Sequence, residues 1–160
     1  MRGVLAFVLA IPALPALAQE PVGAFTGTFN GTPITCQFRP SQSDFVRTGN
    51  TLTISIMTNP CEGFEDRRWI ALSFEQTGES IGSVEIDLSG LNDVPKLYGK
   101  TDTGATVDLL SASEEGDFLT LSGEVSAQIG PSEDRGGTID LSAPQALDGS
   151  LSGVIGRLSF

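Results

Sequence analysis

From Phe25 onward the chain repeats one pattern, an apolar residue at every second position and then a turn. Successive side chains of a β-strand point to opposite faces, so this period commits the chain to half-buried strands. Phe25, Gly27 and Phe29 alternate with Thr26 and Thr28, and Ile34, Cys36 and Phe38 continue beyond the turn. Leu52, Ile54 and Ile56 form a second inward set; Ile70, Leu72 and Phe74 a third; Val84, Ile86 and Leu88 a fourth. A short strand is predicted near Lys96–Gly99, with further strands at Val107–Leu109, Leu119–Ile129, Ile139–Leu141 and Leu151–Phe160. Gly123, within the longest run, marks a bulge or bend.

Turn chemistry punctuates the runs. Asn30-Gly31 is the preferred pair for a type I′ hairpin turn, whose two central residues both need positive φ. Gly49-Asn50, Gly78-Glu79, Gly116-Asp117 and Asp148-Gly149 supply others. Pro33 has no N–H to donate, which places its strand at a sheet edge. No part of the chain after the leader carries apolar residues at i, i+3, i+4 and i+7 over three turns. The expected fold is all-β, a single antiparallel sandwich or small barrel of roughly nine or ten strands.

Residues 1–18 carry a different pattern. Arg2 precedes the apolar run Val4–Ile11, then Pro12, then Ala16-Leu17-Ala18, the small-x-small signature of a cleaved secretory leader. The run is shorter than the about 20 residues of a spanning helix and is broken by Pro12 and Pro15. The first cysteine is Cys36, so no acylation site follows the run. The expectation is a leader at 1–18 and one β domain at 19–160, delivered to the periplasm or medium without membrane insertion.

Removing 18 of 160 residues leaves 142, and the charge balance becomes 8 basic against 20 acidic residues, net −12. Such a chain repels nucleic acid, whose binding needs clustered Lys and Arg, and tolerates a cationic partner. Histidine is absent. Ser-His-Asp and Cys-His nucleophile pairs are therefore excluded, as are imidazole metal sites. No metal or cofactor is expected. Cys36 and Cys61 lie 25 positions apart. In an oxidising compartment they read as one disulfide, contributing roughly 3–4 kcal/mol by the chain-entropy model.

Two segments draw attention for chemistry. Asp102-Thr103-Gly104, within DTGATVDLL, resembles the active-site segment of retropepsin-type aspartic proteases. Val154-Ile155-Gly156-Arg157 is similar to that family's apolar-apolar-Gly-Arg segment. The resemblance implies a dimer sharing one proton between two Asp102 carboxylates. The same Thr/Asp/Gly composition is also that of a turn joining two strands, the simpler reading. The loop from Cys61 to Trp69 holds the only Trp and the pair Arg67-Arg68. Arg and Trp are enriched at binding hot spots, and a tethered loop loses less entropy on binding. Arg67, Arg68 and Trp69 are therefore the candidate binding residues; alternatively the loop is a charged connection whose Trp69 caps the core. The expected role is an exported, non-catalytic binding or envelope accessory domain, its partner a cationic protein or a small ligand. The alternatives are a carrier of small apolar ligands in a barrel cavity and a carboxylate-based hydrolase centred on Asp102.

Overall fold

The computed structural model describes residues 22–91 and 94–158. The expected leader lies outside them. Ten strands form: β1 (Val22–Phe29), β2 (Thr32–Gln37), β3 (Asp44–Thr48), β4 (Thr51–Met57), β5 (Trp69–Thr77), β6 (Ser80–Ser89), β7 (Leu97–Lys100), β8 (Thr106–Glu115), β9 (Phe118–Pro131) and β10 (Gln145–Arg157). The only helical turns among the described residues are 3-10 turns at Pro40–Gln42 and Thr101–Thr103. The all-β expectation holds.

Pairing divides the strands into two layers. β2, β1, β10, β9 and β8 are antiparallel neighbours, and so are β3, β4, β5, β6 and β7. Two short corners join the layers. Gly156 and Arg157 of β10 pair in parallel with Asp44 and Phe45 of β3, and Leu97 and Tyr98 of β7 pair with Pro131 and Gly130 of β9. The result is a flattened barrel, a sandwich whose hydrogen-bonded ring closes through its corners. The parallel corner makes the sheet mixed rather than wholly antiparallel.

The predicted inward sets are the core. Phe25, Leu147, Leu151, Leu121 and Val125 of one layer and Phe45, Ile54, Leu72, Phe74 and Ile86 of the other belong to one buried cluster. The Cys36–Cys61 disulfide forms, with both residues buried. It ties β2, the edge of the first layer, to the loop that leads into β5 of the second. Backbone bonds between Thr35 and Glu62 reinforce the same seam.

The turn at Asn30-Gly31 has φ of 48° and 79°, as a type I′ turn requires, and β2 is indeed an edge strand. Glycines let β1 and β10 serve a crowded inner face. Gly27 pairs with Gly149, and a Cβ on Gly149 would sit 2.6 Å from the Phe25 ring.

Three sequence expectations are corrected. Ile139–Leu141 is not a strand. Asp134 collects the Thr138 amide (2.7 Å) and the hydroxyls of Ser132 (2.7 Å) and Thr138 (3.1 Å), and Asp140 accepts the Ser142 amide at 2.9 Å. These local bonds compete with strand pairing. The Asp140 carbonyl also crosses so close to Gly130 that a Cβ there would meet it at 2.1 Å. A strand that the sequence reading did not predict, β3, has no clear alternation, because only Phe45 of its five residues is buried. The irregularity expected at Gly123 lies on the opposite strand, where β8 shifts register between Leu109 and Ser111. β10 also begins at Gln145, ahead of the expected Leu151.

Candidate functional site

The loop residues singled out by sequence do not converge. Cys61 N–H donates to the Arg68 carbonyl (2.7 Å) and Thr58 N–H to the Ile70 carbonyl (2.9 Å), closing the loop on itself. Arg68 is taken up structurally: its side chain is only 14% exposed, bonded to Asp66 at 2.8 Å and to the Pro95 carbonyl at 3.3 Å. Arg67 stands exposed at φ 52°, beside Leu91 and Val94. Trp69 leaves the loop altogether. It opens β5 in phase with Ala71 and Ser73, opposite to the buried Ile70 and Leu72, so it projects from the outer face of the second layer and does not cap the core.

That outer face carries a concavity walled by two loops. The registers place side chains in rows across it. Ser55, Ser73, Glu85 and Lys100 make one row; Met57, Ala71, Asp87 and Tyr98 the next; Trp69 and Ser89 a third. The first two rows line a groove of about 330 Å³ together with Gln42 and Arg135. Small side chains at its centre, Ser55, Ala71 and Ser73, leave a floor flanked by larger ones.

Two loops wall the groove. On the β4 side, buried Ser43 accepts the Met57 amide (3.1 Å) and donates to its carbonyl (3.0 Å), fixing the 3-10 turn over the strand end. Arg39 then holds the Gln42 carboxamide oxygen at 2.6 Å. On the β7 side, the loop ordered by Asp134 carries Arg135, and Gly136 packs on the Tyr98 ring and the Lys100 stem. The Asp134 carboxyl is held down to about 2, foremost by the Thr138 amide and then by the Ser132 hydroxyl.

Charge in the groove is balanced. Lys100 meets Glu85 at 3.6 Å, and Asp87 accepts the Ser89 hydroxyl at 2.5 Å. At the end of the first row Asp44 pairs with Ser55, its carboxyl pushed up by partial burial.

Asp102 stands exposed in the 3-10 turn between β7 and β8, where Thr103 Oγ1 bonds the Lys100 amide (2.9 Å) and carbonyl (3.0 Å). Val154–Arg157 lies within β10, and Arg157 joins Arg47 on Glu114, holding that carboxyl below its usual range. Arg47 and Glu114 belong to different layers, so this network adds a side-chain tie between them. No grouping of Cys, Asp and Glu among the described residues is arranged to hold a metal ion.

No protein-family model, curated protein or solved structure matches the chain. The groove is thus read from its own chemistry. Tyr98, Lys100, Glu85 and Arg135 were not singled out from sequence. The available signal was parity: Trp69 and Tyr98 both occupy the outward phase of strands whose inward phase is apolar.

Proposed function

We propose that this is an exported, non-catalytic binding domain whose ligand occupies the groove on the outer face of β4–β7. The observation that carries the reading is a walled floor on that face whose lining charges, Glu85, Asp87, Lys100 and Arg135, balance and which includes the chain's one Tyr, Tyr98. The inward side chains of both layers belong to one buried cluster, which supports a site on the outside of the sandwich. The disulfide, together with the absence of any helix long and apolar enough to cross a membrane among the described residues, is consistent with an extracytoplasmic setting. The leader-like segment at 1–18 supports the same setting.

Two measurements test this. Intact mass of the protein recovered from a bacterial host's periplasm, without reductant, is expected to show loss of residues 1–18 and one disulfide. Immobilised wild-type domain and a groove-filled S73W variant are then exposed to solubilised cell-envelope fractions. Selective, unmodified retention by the wild type supports the reading. Equal retention by both, or conversion of the retained material, overturns it.

A further inference from the structure

We infer that the free edge of β8 takes up an extended, basic segment of a partner protein as an added strand. This site is separate from the groove and stands independently of it. Three observations carry it.

The first is which edge the fold leaves open. A strand edge presents unpaired N–H and C=O groups, and folded proteins cover or guard such edges. At the far side of the first layer, β2 is covered. Thr35 and Glu62 exchange both backbone bonds (3.1 and 2.8 Å), the Asn59 amide donates to the Gln37 carbonyl (2.8 Å), and the Cys36–Cys61 bond ties the cover down. β8 pairs with β9 on one side, and no described backbone group bonds to it on the other. Its ten residues, Thr106–Glu115, make an edge about 33 Å long. Lys and Pro, the usual blocking residues, are absent from it. A bulge at Leu110 divides the edge and leaves Ser111–Glu115 as an unbroken run.

The second is uncovered apolar surface beside that edge. Glu85–Lys100 is the last pair between β6 and β7. Beyond it β6 is bulged at Ser83 (φ 49°), and Ser80, Ile81 and Gly82 pair with β5 alone. The Thr101 hydroxyl accepts the Val84 amide at 2.7 Å, capping β6 where β7 ends. β8 runs on along β9 without pairing to β6, so the ring that closes at β7 is split below it. The inner face of β8 records the split. Ala112 pairs with the buried Leu121 yet is itself exposed, Leu109 is only half-buried, and Leu110 is 64% exposed. An added strand would set apolar side chains beside these residues and main-chain bonds along the edge, the mode by which sheet edges bind extended peptides.

The third is charge, which selects the partner. Asp108 and Glu115 lie on the outer face of β8, both exposed and without an ion-pair partner among the described residues. A neighbouring strand with Lys or Arg on the same face gains cross-strand pairing with them. A second copy of this chain supplies only further acids, because β8 holds no base and the chain's net charge is −11. The segment that fits is therefore basic on its outer side and apolar on its inner side.

The test uses peptides as probes. Isotope-labelled exported protein is titrated with three synthetic decapeptides: alternating Lys and Val, the same with Glu for Lys, and the Lys–Val peptide N-methylated throughout, which keeps the charge but has no backbone donors. The Lys–Val peptide is expected to slow hydrogen exchange of alternate amides within 107–115 by at least about tenfold, and the other two to leave them unchanged. The double variant D108N/E115Q, altered only at exposed positions, is expected to bind it roughly two- to five-fold more weakly with an otherwise wild-type amide spectrum. Absence of protection on β8 at millimolar Lys–Val peptide overturns the inference. So does equal binding of the N-methylated peptide, which would reduce the site to attraction by an acidic surface, or of the Glu–Val peptide. If the protein alone sediments as a dimer with β8 protected, the occupant is a second copy and the basic partner falls. Shifts confined to residues 71–73, 85–87 and 98–100 would place the peptide in the groove, and the edge site falls while the groove stands.

Discussion

The two outer faces of the sandwich obey the same alternation and carry opposite chemistry. On the second layer, acids are matched by Lys100 and Arg135, aromatics are present, and two loops raise walls. The first layer presents Thr26, Ser150, Glu124 and Asp108 in one row and Thr28, Asp148, Ser126 and Thr106 in the next, with no base in either. Asp108 and Glu124 are direct cross-strand partners, an arrangement that costs stability. In the next row the Ser126 hydroxyl donates to Asp148 at 2.6 Å. The difference teaches where a partner of each kind would go. The first layer's concavity, lined by Asp108, Glu124 and Asp148, has acids alone, whereas the second layer's groove sets Lys100 and Arg135 beside Glu85 and Asp87.

The crowded inner face of the first layer sets the largest expected effect. The first layer relies on glycines opposite rings. G149V forces a side chain into Phe25, the Thr26 carbonyl and Gly27, all within 2.8 Å of the added Cβ. Overpacking costs about 1–3 kcal/mol and backbone clashes more, so G149V is expected to yield little folded protein. In the second layer a Cβ on Gly82 meets nothing within 4 Å; urea melts of G82A are expected to stay within about 0.5 kcal/mol of wild type. Equal losses in both would end the comparison.

The seam between the layers comes next. Replacing Cys36 and Cys61 by Ala is expected to lower stability by about 3–4 kcal/mol in urea melts, with the loop 58–68 losing amide protection first.

Reversing one charge on each face gives a smaller pair of effects. D108K places a base opposite Glu124 and is expected to stabilise by a few tenths of a kcal/mol. E85K places a base opposite Lys100 and is expected to destabilise by a similar amount. The same sign for both would show that the faces are not electrostatically distinct.

The smallest effect on stability concerns the groove wall. Asp134 has a folded-state value of about 2 against an ordinary 3.8. A depressed carboxylate contributes stability above its unfolded value, which is lost as pH falls from 3.8 through about 2. The amide resonances of Gly136 and Thr138 are expected to move in that window, and D134A to show the released positions at pH 7. Unchanged shifts would mean the wall is held some other way.

Much of this was legible without coordinates. The inward sets from Phe25 to Ile129 needed only period-2 alternation, and Asn30-Gly31 announced its own turn geometry. The phase of Ile70, Leu72 and Phe74 already placed Trp69 outward, although its place in a charged loop suggested a loop function. Other features were not legible. Ile139–Leu141 alternates like a strand, yet Asp134 and Asp140 divert its backbone into local bonds. β3 is too short to show a period, and its identity depends on Phe45 reaching a core made by distant strands.

The sequence by itself determined the all-β class, the inward residues, the edge position of β2 and the chemistry excluded by the missing histidines. Each follows from local sterics or from which groups the chain possesses. Only the tertiary structure decided that β10 and β9 turn two layers into one ring, and that Tyr98, Trp69, Glu85 and Arg135 share a face. The register between strands far apart in sequence is set by the packing of the whole core, and no local window contains it.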